Sequence, residues 1–187
     1  LTGEYLLDVY SLSSPRPRSY AWIVHTLGQA HPDDPSAWKP SSDLAQLIAD
    51  LTHERSAAVG DKTWSMTAIQ GRPEQEPANS RVGDAWFDRK IGVKVSMLGE
   101  AGTGAYLTVS PQYDAEIVRS KETDAPRPAK PLSETGGVTL GATRNTESTA
   151  FVVLHEPFEK TPRLTTFERI AQTPHAVAVR VQGQGVD

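Results

Sequence analysis

The chain has 187 residues, which suits a single domain with a core of its own. Its 14 glycines and 14 prolines indicate many turns and few long helices. The formal net charge is -4 and no segment concentrates lysine or arginine, which excludes the basic surface typical of nucleic-acid-binding proteins. No apolar run reaches the roughly 18 residues of a membrane-spanning helix. Without cysteine, the chain forms no disulfide and no cysteine-ligated zinc site.

Alternation of apolar residues with a period of two dominates the sequence and predicts antiparallel β-strands. The first predicted strand runs from Tyr5 to Leu12. A loop with two prolines follows over residues 13–18, and the second strand returns over Tyr20 to Leu27, with apolar residues on both faces that predict burial on both sides. The remaining predicted strands, in chain order, are residues 62–69, 91–97, 105–109, 138–143, 150–154, 164–170 and 176–181.

One short helix is predicted between the second and third strands. Ser42 can cap it, and its apolar residues follow the helical spacing: Leu44, Leu47, Ile48 and Leu51. The glycine-rich segment 99–104 predicts a hairpin turn, because a strand follows it where a phosphate loop would lead into a helix. Prolines mark residues 120–136 as an internal loop. These elements predict a single domain over residues 1–187, an all-β antiparallel β-sandwich of about nine strands with one short helix.

His25 is the candidate catalytic residue. It lies among apolar residues of the second strand, where desolvation would favour the neutral imidazole and suit it to act as a base or a ligand. The alternative is a buried histidine hydrogen-bonded to a neighbouring strand or loop. His31 and Asp33 lie close by in sequence, but their spacing does not bring them together with His25. His155-Glu156 lacks the second histidine of the zinc-protease motif. We therefore expect no metal and no cofactor within this chain.

Tryptophans are the candidate sugar-binding residues, because their faces suit the apolar face of a pyranose ring. Trp38 and Trp86 lie beside predicted loops and are the candidates for exposure and substrate binding. Trp64 alternates inward in its strand, so it is predicted to belong to the core. No serine lies in a nucleophile-elbow pattern, and no pair of carboxylates is fixed on one element by its spacing.

Two segments at the start of the chain resemble the C-terminal β-sandwich of heparinase II/III-type polysaccharide lyases. Residues 5–10, Tyr-Leu-Leu-Asp-Val-Tyr, look like the family's apolar strand with Asp-Val-aromatic. Residues 20–25, Tyr-Ala-Trp-Ile-Val-His, look like its strand of the form Tyr/Asp-x-aromatic-x-x-His. Residues 107–111 and 150–157, together with the strand around Trp64, look like later strands of the same domain. The resemblance extends from about residue 4 to residue 181.

The resemblance implies a protein that acts on acidic polysaccharide. Family members join an N-terminal helical toroid to the sandwich and cleave uronate-containing polymers, such as alginate or glycosaminoglycans, by β-elimination. Their principal catalytic tyrosine and histidine lie in the toroid, and their metal ligands lie in His-x-His-x-Asp and His-Asn-Thr segments. This sequence contains neither segment, and only His25 matches a recurrent family histidine. A metal ion is therefore expected only in a full-length enzyme.

The resemblance leads to the expectation of the C-terminal portion of a secreted or periplasmic polysaccharide lyase. Such a portion would support the toroid, wall the substrate cleft and show no lyase activity by itself. If Leu1 falls inside the sandwich, the strands at residues 5–27 would present an unpaired edge. Either a second polypeptide, such as the rest of the same lyase, or a symmetry-related copy of the chain is expected to cover it. Two alternatives remain open: a stand-alone carbohydrate-binding module, and a structural or adhesive surface domain without a sugar site.

Overall fold

The computed structural model describes residues 5–27, 29–42, 52–69, 91–109, 137–173 and 176–184. The strands are β1 Leu6–Leu27, β2 Gln29–Pro32, β3 Lys39–Pro40, β4 Thr52–Ala58, β5 Trp64–Ile69, β6 Ile91–Met97, β7 Gly104–Val109, β8 Gly137–Glu159, β9 Leu164–Thr173 and β10 Ala176–Gly183. A 3-10 turn at Pro35–Ala37 is the only helical element among these residues. The predicted all-β antiparallel class is confirmed. The predicted helix after Ser42 and the predicted loop at 120–136 lie outside the described residues.

Eight of the strands form one curled sheet built around β8. Its order is β2-β5-β6-β8-β7-β4-β3, and β1 pairs with the other edge of β8. The two remaining strands, β9 and β10, form a separate hairpin sheet. All the strand pairs are antiparallel. In the part of the chain that the structure describes, no helix is long and apolar enough to cross a membrane.

The glycine-rich segment after β6 does not reverse the chain, so the predicted hairpin turn at 99–104 is wrong. Met97 of β6 lies opposite Val153, and Gly104 of β7 lies opposite Thr143, so both strands run antiparallel to β8 one after the other. The segment leaves the sheet after Leu98 and rejoins it on the same strand. Glycine marks a break in the ladder, but the pairing with β8 decides the direction that follows.

The predicted loop at residues 13–18 is likewise part of a single long strand. Ser13 lies opposite Ser148 and Arg18 lies opposite Thr146, so residues 14–17 bulge opposite Glu147 alone. The two prolines in the bulge lack the N–H groups that a ladder needs. The chain nevertheless stays extended and continues along β8. The sequence predicted a second strand that returns beside the first. The structure instead has one strand, β1, that continues in the same direction.

The breaks in neighbouring strands lie side by side and form one bend across the sheet. The carbonyl oxygen of Thr103, between β6 and β7, accepts hydrogen bonds from the N–H groups of Val59 and Gly60, between β4 and β5, both at 3.2 Å. The bend turns the two ends of the sheet toward each other. As a result Trp22, on the second half of β1, lies against His155, near the end of β8, with ring centroids 5.9 Å apart.

The hydrophobic core fills the space between the two halves of the curled sheet. Its buried residues are Trp22, Trp64, Met66, Val95, Met97, Ala105, Leu140, Ala142, Phe151 and Val153. Along β5 the burial alternates as the sequence predicted, and the expectation that Trp64 belongs to the core is confirmed. The two core layers thus belong to one continuous sheet. Burial of the second predicted strand on both sides is wrong, because Ala21 and His25 on its outer face are exposed.

Candidate functional site

Asp8 and His155 form a partly buried pair on the inner face of the curled sheet. Asp8 lies opposite Val153 and His155 lies opposite Leu6, and residues opposite each other in a sheet share a face. The imidazole Nε2 of His155 is 3.0 Å from Oδ2 of Asp8. The side chain of His155 is 15% exposed and that of Asp8 is 28% exposed. Solvent therefore reaches the pair, although both residues lie on paired strands.

Apolar and aromatic side chains surround this pair. The buried indole of Trp22 lies beside the His155 ring at an interplanar angle of 50°. Leu6 and Tyr10 share the inner face of β1 with Asp8, and both are exposed. We call Leu6, Asp8, Tyr10, Trp22 and His155 the mouth cluster. It combines an exposed aromatic ring with a carboxylate and an imidazole on the inner face of the sheet.

The hydrogen bond between Asp8 and His155 determines what the mouth cluster can do chemically. With Nε2 bonded to the carboxylate, Nδ1 of His155 is the ring nitrogen that can donate to, or accept from, a bound molecule. The cluster can therefore hydrogen-bond hydroxyl groups, and the exposed Tyr10 ring can stack on an apolar face.

His25, the candidate catalytic residue, lies on the outer face of β1, away from the mouth cluster. Trp22 points into the core, and His25, three residues later along the strand, points to the opposite face. Its Nδ1 is 2.7 Å from Oγ1 of Thr139 on β8, so the expected hydrogen bond to a neighbouring strand is present. The ring itself is exposed, so the burial on which the sequence argument rested is wrong.

His31 and Asp33 lie at the far edge of the sheet, on β2 and just after it. The Asp33 carboxylate forms an ion pair with Nζ of Lys94, 3.2 Å from Oδ2, and accepts a hydrogen bond from the Ser65 hydroxyl. The Asp33 carboxylate is therefore paired with a lysine and a serine rather than with His25 or His31. Among the described residues, no group of three or more histidine, cysteine, aspartate or glutamate side chains is placed to hold a metal.

Trp38, a candidate for exposure and substrate binding, is half-buried. Its ring meets that of Trp64 edge-on, with centroids 6.1 Å apart, and it packs against the hydrophobic core. Much of its surface therefore serves packing. The other candidate, Trp86, lies outside the described residues.

Sequence reasoning did not bring Asp8 and His155 together. The two residues are 147 positions apart, and only the pairing of β1 with β8 places them side by side. Asp8 is a polar residue in an otherwise apolar strand segment, which is the one sequence signal that marks it.

No family model, curated protein or solved structure matches the chain.

Proposed function

We propose that the chain is the C-terminal β-sandwich portion of a polysaccharide lyase that cleaves uronate-containing polysaccharide by β-elimination. In this role it supports a helical toroid that carries the principal acid and base, and it walls the substrate cleft. One observation carries the proposal. Three segments of the lyase resemblance, residues 5–10, 20–25 and 150–157, contribute Asp8, Trp22 and His155 to the same mouth cluster.

The mouth cluster has the chemistry of a cleft wall. Asp8 and His155 offer hydrogen bonds to sugar hydroxyls, and the exposed ring of Tyr10 offers a stacking surface. A net charge of -4 provides no long-range attraction for an acidic polymer. We therefore expect the isolated chain to bind such a polymer weakly, and to need the toroid for catalysis. Such polymers lie outside the cytoplasm, so the proposal places the protein in a secreted or periplasmic setting.

The first prediction concerns polymer binding and turnover by the chain alone. We expect its migration in native gels to be retarded by at least one of alginate, hyaluronan, chondroitin and heparan sulfate, with neutral dextran as the reference. We also expect no rise in the ultraviolet absorbance of unsaturated uronate products, because the toroid's acid and base are missing. Clear turnover by the chain alone would contradict the assignment of catalysis to the toroid.

Variants of the mouth cluster show whether it carries the binding. Tyr10→Ala and His155→Ala should each lower the polymer affinity measured from the retardation by about tenfold. The first removes a stacking surface, and the second removes a hydrogen-bonding group. His31→Ala is the matched control, since His31 is an exposed histidine on β2, at the other edge of the sheet. Equal effects of all three variants would count against the mouth cluster. Retardation by dextran as strong as that by the uronates would favour a stand-alone carbohydrate-binding module.

A further inference from the structure

Exposed apolar side chains concentrate at the beginning of β1. Five large hydrophobic residues are exposed in the described part of the chain, and four of them lie between Tyr5 and Tyr10. Their exposed fractions are 41% for Tyr5, 58% for Leu6, 45% for Val9 and 53% for Tyr10. The fifth is Ile170, on the separate hairpin. An apolar cluster of this kind on one short segment marks an interaction surface.

The position of this segment indicates what kind of partner covers it. β1 pairs with β8 along one edge, and none of the described strands pairs with its other edge. Leu6 and Tyr10 lie on the inner face of β1, whereas Tyr5 and Val9 lie on the outer face. A partner that packs on one face leaves the other face exposed. An additional strand in the plane of the sheet covers both, so an extended strand is the partner that fits.

We propose that residues 5–11 of β1 pair antiparallel with the same segment of a second copy of this chain, centred on Asp8. The sequence around Asp8 is apolar on both sides and nearly symmetric, as Leu-Leu-Asp-Val-Tyr over residues 6–10. In this register Leu6 lies opposite Tyr10 of the second copy on the inner face. Leu7 lies opposite Val9 of the second copy on the outer face. Leu6, Leu7, Val9 and Tyr10 thus each meet an apolar residue on their own face. Tyr5 lies opposite Ser11 of the second copy.

Asp8 is the only charged residue of the segment, and in this register it faces Asp8 of the second copy. Like charges directly opposite each other weaken a strand pair. In this protein each Asp8 carboxylate is already hydrogen-bonded to His155 within its own chain, with 3.0 Å between Oδ2 and Nε2. That hydrogen bond holds each carboxylate beside β8 of its own chain. The four apolar pairs around the two carboxylates stabilise the pairing of the strands. The pairing uses the edge of β1 and shares Leu6, Asp8 and Tyr10 with the mouth cluster, but it can be tested on the chain alone, without polysaccharide.

Sedimentation equilibrium of the purified chain over a wide range of concentrations tests the pairing. We expect a reversible monomer–dimer equilibrium, with Val9→Lys weakening association by about tenfold or more because it adds a charge to the strand edge. Ile170→Lys is the matched control, since it changes the one other exposed large hydrophobic residue of the described chain and should leave the dimer intact. A monomer at all concentrations, or equal effects of the two variants, would overturn the proposal.

Single-cysteine variants test the register, because the natural chain has no cysteine that would interfere. Under mild oxidation Asp8→Cys should give a disulfide-linked dimer, since residues opposite each other have Cα atoms about 5 Å apart, within disulfide range. Ser11→Cys should not, because its two copies would lie roughly 20 Å apart, six residues along the strand. No cross-link at position 8, or equal cross-linking at both positions, would refute this register.

Discussion

Replacing Arg144 with methionine should lower the free energy of unfolding by about 3–5 kcal/mol, because it removes the cation from a buried network at the bend. Arg144 is only 2% exposed, and its guanidinium lies over the ring of Phe151, with 4.5 Å from Cζ to the ring centroid. Burial lowers the pKa of Arg144, whereas Glu100 raises it and the nearby Arg169 lowers it. The group remains charged at neutral pH, because an arginine guanidinium does not lose its proton in proteins.

The network explains the size of the expected loss. The guanidinium donates from Nε to the Thr103 hydroxyl at 2.8 Å, from Nη2 to the carbonyl of Leu98 at 2.9 Å and from Nη1 to the Thr149 hydroxyl at 2.8 Å. Nη1 also lies 3.1 Å from Oε2 of Glu100. One side chain on β8 thus holds both ends of the segment that links β6 to β7. Methionine fills similar space but donates to none of these acceptors, and it leaves the Glu100 carboxylate without its nearest cation.

The same carboxylate connects the bend to the separate hairpin. Oε1 of Glu100 accepts from Nη2 of Arg169 at 3.4 Å and from Nε2 of Gln172 at 3.2 Å, both on β9. Among the described residues, loss of Arg144 therefore leaves Glu100 with Arg169 as its one, more distant cation. We expect the loss of stability to be accompanied by looser attachment of the hairpin.

Urea unfolding followed by circular dichroism measures the effect. Arg180→Met is the matched control, since Arg180 pairs with Glu168 at 2.6 Å, but both side chains are about half exposed. An exposed pair contributes at most about 1 kcal/mol, so this variant should remain close to the parent. Arg144→Lys should fall between the two, because an ammonium keeps the charge but lacks the planar fork of donors. Similar losses at positions 144 and 180 would contradict the role of the buried network.

The fold class followed from the sequence because alternation is a local property. Trp64, Met66 and Ala68 alternate inward in β5 as predicted, and the predicted strands at 138–143 and 150–154 are both present within β8. The sequence did not predict the direction that the chain takes where the strand pairing is interrupted. Prolines at 15 and 17 and glycines around 99–104 predict a break, but the long pairing partner decides whether the chain then turns or continues.

The site was harder to predict than the fold, for the same reason. Asp8 and His155 meet only because β1 and β8 pair in one particular register, and a slip of one residue would turn one of them to the other face. His25 lay among apolar neighbours in sequence, yet its face of β1 points outward. The alternation pattern gives two faces to every strand, and only the packing of the whole sheet decides which face is buried.

Replacing Gly99 with alanine should cost about 3 kcal/mol, at the upper end of the usual range for overpacking. A Cβ at this position would lie 2.5 Å from the carbonyl oxygen of Gly60 and 2.7 Å from the carbonyl carbon of Asp61. These atoms belong to the backbone of the turn between β4 and β5, which Thr103 holds by two hydrogen bonds. No flexible side chain can move aside, so the two breaks in the sheet would have to separate.

Gly102→Ala provides the control in the same segment. Gly102 has a φ of 78° and nothing within 4 Å of an added Cβ, so only backbone strain of about 1–2 kcal/mol is expected. Thermal and urea unfolding of both variants should therefore place Gly99→Ala below Gly102→Ala in stability. The opposite order would mean that conformational strain, rather than the close approach of two backbones, limits the bend. The bend would then depend on the Arg144 network rather than on direct contact between the β4–β5 and β6–β7 connections.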